Sequence, residues 1–246
     1  MATFCLRRWF KEDRAGAAEW MAKNPDPSPV AAAGLMQGWF GEDAEQARAY
    51  VGGLEPGVWR DNVATSVAED AIVAENPSET LRFLEFVGVE NSRRLEVQEW
   101  AALAWGKSSY AEASAWAAQA VAPEQRERLL AAVNVGYANT DPLAAAESLL
   151  AMVKNRAVVA PALGSIMRIW AAKEPTEAAE FVASFPASAE QKLAVGELLE
   201  VWGRLDEASA RGWLEKLSDA EARDHAELVM ARIKAGYVPE EKQPNG

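Results

Sequence analysis

The sequence predicts an all-α protein, a right-handed α-solenoid of about seven αα-hairpin repeats, each about 32 residues long. Three observations predict it. Large side chains recur at Trp9, Trp39, Ile72, Trp105, Tyr137, Trp170 and Trp202, a nearly constant period from end to end. Eleven positions past each anchor stand Trp20, Tyr50, Phe83, Trp116, Ser148, Phe181 and Trp213, so eight of the ten tryptophans fall into two columns. Two further columns, not used to set that register, are nearly uniform. Eight past the anchor come Ala17, Ala47, Thr80, Ala113, Ala145, Ala178 and Ala210; four past it come Asp13, Asp43, Asn76, Ser109, Asp141, Glu174 and Asp206.

The elements follow in order. Trp9 ends a leading helix; Asp13 caps a short helix carrying Ala17 and Trp20, and Pro25 marks the loop after it. An Asp, Asn or Ser at a cap accepts a bond from an early backbone N–H, which explains the column. Trp39, Asp43, Ala47 and Tyr50 repeat the phrase, with Gly52 and Gly53 ending the short helix and Pro56 in the loop. At Ile72, Asn76 and Pro77 the proline takes the first helical position, where its missing N–H costs nothing; Pro142 and Pro175 do the same later. Trp105, Ser109, Ala113 and Trp116 lead to Pro123. The Tyr137 unit departs from the pattern: Ser148 stands where the aromatic belongs, and Pro161 and Gly164 interrupt its long helix. Trp170, Ala178 and Phe181 precede Pro186 and a long helix, ASAEQKLAVGELLEVWGR, with Leu193, Leu198, Val201 and Trp202 on one stripe. Asp206, Ala210 and Trp213 begin the last hairpin, closed by the charged DAEARDHAELVMARIKAG. A hairpin of this size cannot bury both faces alone, so neighbours are expected to stack. The expected domain is 1–237, with 238–246 a polar tail.

Composition limits the function. Net charge is −12, with acid spread over both halves, so phosphate-led binding of nucleic acid is disfavoured. Anionic membrane surfaces are disfavoured likewise, and no run reaches the roughly 18 apolar residues of a spanning helix. Cys5 is the only cysteine and His225 the only histidine, which rules out an intrachain disulfide and any multi-histidine metal site. The expectation is a soluble, cytoplasmic chain without cofactor or metal.

A hairpin of this length with a turn, an alanine and an aromatic resembles the tetratricopeptide class of α-solenoids, over Thr3 to Tyr237. That family spaces its alanine and aromatic four apart, where Ala178 and Phe181 are three apart, and its Trp-x-x-Leu-Gly opening is missing here. The W…DP..A..W phrase is similar to that of bacterial tandem αα-hairpin repeat proteins. Both resemblances imply a non-enzymatic scaffold with a protein or peptide ligand.

Candidate sites follow from departures and columns. Trp59, in an otherwise polar column, is either a binding anchor or a staple over Pro56. Arg60, Arg93, Arg126 and Arg223 recur 21 past the anchor, either as a ladder for acidic groups or as ties to neighbouring loops. Ser148 and Pro161 mark a kinked or widened groove. Trp100 shares a column with Val67, Val133, Leu198 and Met230 and is expected in the core. His225 is expected to be solvated on a capping helix. Phe4, Leu6 and Phe10 open the chain within a helix lacking a neighbour, a candidate interface for a partner or a second copy. The function expected is a scaffold presenting an acidic concave surface to a protein or peptide, basic partners being favoured by long-range attraction. The alternatives are a helical-ring hydrolase acting through carboxylates, or a spacer within a longer chain.

Overall fold

The structure, a computed structural model, describes residues 8, 9, 12–23, 34, 39, 44–68, 77–88, 93–185 and 188–236. Among them are thirteen α-helices and no strand. The chain divides into two compact units, Met1–Ala117 and Ala118–Gly246.

The first unit contains α1 (Arg14–Lys23), α2 (Ala44–Gly52), α3 (Val58–Val67), α4 (Pro77–Val87), α5 (Arg93–Ser108) and α6 (Tyr110–Ala117). Here α4 packs on α2, α3 and α5, and α5 packs on α6. Its core joins Ala17, Ala47, Val63, Phe83, Leu84 and Val97, with Trp9, Trp20 and Tyr50 against them.

The second unit alternates long and short helices: α7 (Pro123–Tyr137), α8 (Pro142–Met152), α9 (Arg156–Ala171), α10 (Pro175–Ala183), α11 (Ala189–Leu205), α12 (Glu207–Leu214) and α13 (Ala220–Lys234). The long helices pack in sequence, α7 on α9, α9 on α11 and α11 on α13. Short α8 packs on α7 and α9, and α10 on α9 and α11.

One position explains how a long helix passes into a short one within a tight turn. The N–H of the residue four past the anchor donates to the anchor carbonyl: Asp13 to Trp9, Ser109 to Trp105, Asp141 to Tyr137, Glu174 to Trp170 and Asp206 to Trp202, all at 2.7–3.0 Å. Its own carbonyl then accepts from the alanine four further on, Ala17, Ala113, Ala145, Ala178 and Ala210, at 3.0–3.1 Å. Each such residue closes one helix and opens the next. Its side chain completes the turn where the length is right: Asp13 accepts from Gly16 N–H, Asp141 from Ala144 and Asp206 from Ser209. Glu174, one methylene longer, makes no such cap bond. Hydrogen bonds from the Ser209 hydroxyl and backbone hold the Asp206 carboxyl below the usual carboxylate range.

The alanine beyond each turn is where helices meet. Ala17, Ala47, Thr80, Ala113, Ala145, Ala178 and Ala210 all have 0% exposure. Beside them the two aromatic columns touch: Trp9–Trp20, Trp39–Tyr50, Trp105–Trp116, Trp170–Phe181 and Trp202–Trp213 have ring centroids 5.2–6.1 Å apart. Ring pairs at this separation add about 0.5–1.5 kcal/mol beyond burial. Ser148, lacking a ring, donates to Met152 Sδ instead.

Contacts between distant elements among the described residues reach a similar distance along the chain. The ion pairs Arg48–Glu79, Arg156–Glu190, Arg168–Glu197 and Arg232–Glu200 do so. So do the bonds from Arg60 to Gly88, Trp116 to Glu85, Lys173 to Asn139, and Lys154 and Asn155 to Glu127. Their partners lie 27–34 residues apart.

Two expectations are corrected. Trp100 is 51% exposed, whereas Val133, Leu198 and Met230 at the same column are buried; the smaller side chains are the ones that fit. Helix α9 runs on through Pro161 rather than breaking there. No helix among the described residues is long and apolar enough to cross a membrane.

Candidate functional site: a groove on the long helices

Helix α11 turns one stripe outward, from Lys192 and Leu193 through Gly196 and Glu197 to Val201 and Leu205. Spacings of three and four place these residues on one face. Between α9 and α13 this stripe forms the floor of a groove of about 860 Å³, with Arg168 on the α9 side and His225, Val229 and Arg232 on the α13 side. That volume falls within the range that holds a ligand or several peptide side chains.

Glycine sets the depth of the groove. A Cβ on Gly196 would stand 2.8 Å from His225 Nε2 and 3.9 Å from Val229 Cγ2. A Cβ on Gly164 of α9 would stand 3.1 Å from both Leu193 and Glu197 of α11. Leu193 and Glu197 precede His225 and Val229 by one period of the repeat, as Gly164 precedes Gly196. α9 and α11 therefore each lie bare under two side chains of the next long helix.

Electrostatics decide what the groove can hold. Glu200 accepts from Arg204 on its own helix and from Arg232 on α13, both at 3.1 Å. Glu197 pairs with Arg168 of α9 at 3.4 Å. These half-exposed pairs contribute little stability, about 0–1 kcal/mol each. Their effect is to neutralise both carboxylates of the groove. Lys192 has no carboxylate partner among the described residues. Four basic side chains and two acidic ones line the groove, so its sign opposes the chain's net charge of −12. An acidic binding surface is not what stands here.

His225 is half-buried against Gly196, not solvated as expected. Burial pushes its imidazole below the ordinary 6.5, and Lys192 and then Arg232 push it the same way. Sequence reading missed it for want of one comparison: His225 stands one period after Leu193, an apolar member of the α11 stripe.

Comparison with protein-family models, with curated proteins and with solved structures finds no match for this chain. Its role is read from its own residues.

None of the residues chosen from sequence lines the groove. The arginine column serves the loops. Arg126 donates to the carbonyls of Ala120 and Val121 at 2.9 and 3.3 Å, and Arg223 to that of Leu217 at 3.3 Å. Gln191, at the same position of its hairpin, donates to Val182 and Phe185. Buried Arg60 donates to Asp61 and to Gly88, the left-handed glycine that ends α4. Arg93 opens α5 and is exposed. Ser148 is half-buried in α8, and Pro161 lies exposed on α9 with its carbonyl taken by Ser165. Trp59 is the second residue of α3; its side chain, like Phe4, Leu6, Phe10 and the tail 238–246, lies outside the described residues. Among the described residues no three His, Cys, Asp or Glu side chains gather as metal ligands would.

Proposed function

We propose that this chain is a non-enzymatic scaffold, a right-handed α-solenoid whose long-helix groove takes an extended segment of another protein. The observation that carries the reading is the groove itself. It has an apolar floor from Leu193 to Leu205 and a charged rim supplied by three successive long helices. Order supports the solenoid: long helices pack on the next in line, and cross-element bonds reach about one hairpin along. Array proteins of this kind offer extended surfaces to extended ligands. Against the hydrolase alternative, both carboxylates of the groove are already engaged, Glu197 by Arg168 and Glu200 by Arg204 and Arg232. A cytoplasmic setting belongs to the same proposal, since the single cysteine offers no intrachain disulfide.

The test compares partner capture by the wild type and by Val201→Asp, which places a charge on the apolar floor, with Ala208→Asp on the exposed surface as control. Partners lost from Val201→Asp and retained by Ala208→Asp support the groove. Equal capture by both variants contradicts it, provided circular dichroism shows both folded.

A further inference from the structure

The groove's charges are unevenly matched. Glu197 answers Arg168, while Glu200 alone answers both Arg204 and Arg232. Lys192 answers to no carboxylate among the described residues. On this side of α11, Lys192, His225 and Arg232 stand close enough for both cations to act on the imidazole. His225 itself forms no hydrogen bond among the described residues. Lys192 and His225 thus share one end of the groove, Arg232 stands about two helical turns away beside Glu200, and each carboxylate of the lining already faces an arginine.

Resting on the scaffold reading, we propose that the groove's occupant is an acidic extended peptide segment. One of its carboxylates sits between Lys192 and His225, and an apolar side chain about four residues away sits on Val201 and Leu205. The spacing follows from geometry. From the level of Lys192 to that of Val201, α11 rises nine residues, about 13–14 Å at about 1.5 Å each. An extended peptide covers that length in about four residues at about 3.3 Å each, and side chains four apart point the same way. A basic residue at the first position would instead meet Lys192, with both carboxylates of the groove already paired. The chain's net charge of −12 acts against an acidic ligand at long range. That field is screened beyond about 8–10 Å at 0.10–0.15 M salt, so the groove's own cations prevail at contact.

A carboxylate beside the imidazole also favours its protonated form, so binding and protonation of His225 strengthen each other. The charged groups that line the groove with His225 are Lys192, Glu197, Glu200 and Arg204 from α11, Arg168 from α9 and Arg232 from α13 itself, of which Lys192 and Arg232 act on the imidazole. The histidine's share is isolated by replacing it.

The experiment uses three fluorescein-labelled eight-residue peptides, Ser-X-Ser-Gly-Ser-Leu-Ser-Gly with X as Glu, Gln or Lys, titrated into the full chain at 0.15 M salt. Fluorescence anisotropy gives affinity, and NMR follows the single imidazole. The Glu peptide is expected to bind about tenfold tighter than the Gln peptide, the effect of one charge-assisted bond. Lys192→Gln should erase that preference and leave the Gln peptide unchanged. Affinity for the Glu peptide should rise as pH falls from 7.5 to 5.5, and His225→Gln should flatten that rise. Equal binding of Glu and Gln peptides, or tighter binding of the Lys peptide, overturns the acidic occupant while leaving the groove intact. Failure of all three peptides to bind at millimolar concentration also overturns it. The scaffold reading is judged separately, by capture with Val201→Asp.

Discussion

His225 lies on Gly196 as Leu193 lies on Gly164: the same contact between successive long helices, with an imidazole in place of an isobutyl group. A titratable ring in a seam position links the groove to pH. Since burial, Lys192 and Arg232 all lower its pKa, the imidazole should titrate below 6.5 in NMR, where it is the only one to observe. Lys192→Gln should move the midpoint upward. The sign for stability follows. As pH falls through 6.5 the unfolded chain takes the proton first, so the folded state loses stability in acid; above 6.5 the ring has no effect. Thermal unfolding at pH 7.5 and 5.5 should show a smaller loss in His225→Gln than in the wild type.

Alanine at the helix crossings is required by space. Ala178→Leu should cost about 1–3 kcal/mol through overpacking. Ala208→Leu, on the exposed face of α12, should change stability by less than about 0.5 kcal/mol. Urea midpoints of the two variants test the contrast.

Two tryptophans of unlike burial should part widely. Trp202, 5% exposed and stacked on Trp213, should cost about 3–5 kcal/mol when cut to alanine. Trp100, 51% exposed, should cost about 1 kcal/mol or less. Comparable losses in denaturation would overturn the difference in packing.

Gln191 is a buried tie between α11 and the end of α10. Gln191→Met keeps the volume but removes the donor to the carbonyls of Val182 and Phe185, of which Val182 keeps its bond from Phe185 N–H, at a cost of about 1–3 kcal/mol. The same variant should speed amide exchange at the end of α10, which a merely global destabilisation would not confine there.

Glu174 offers an improvement. Its side chain makes no cap bond, although the backbone turn matches that at Asp141. Glu174→Asp should raise stability by about 0.5–1 kcal/mol, and Asp141→Ala should lower it by about 0.5–2 kcal/mol, both read from thermal melts.

What the sequence made legible was whatever one residue does alone at one place. An aspartate that ends a helix, an alanine that admits a neighbour and a ring in fixed register with another ring each leave a mark in their own column. The groove left a faint one: Arg168, Glu200 and Arg232 stand 32 residues apart, but their signs alternate and Lys192 lies outside that column, so no basic column shows. The chain's overall negative charge concealed a local excess of the opposite sign. Arg60 and Arg126 attracted notice as a column, yet their donors point into loops, and Gln191 shows that the position asks for a donor and not for a charge. Trp100 was misjudged because a column states a place in the array and not the room available there.

On the solenoid reading, the similar reach of the cross-element bonds, 27–34 residues, makes one whole hairpin of the second unit removable. Excising 173–204, one full period, would carry α13 onto α9 and lay His225 on Gly164, the place Leu193 now holds. The joint would close with the same backbone, from Ala172 into Leu205 and Asp206. A shortened chain would keep its crossings and lose one rung, much as a ladder sawn and rejoined at equal heights still climbs straight.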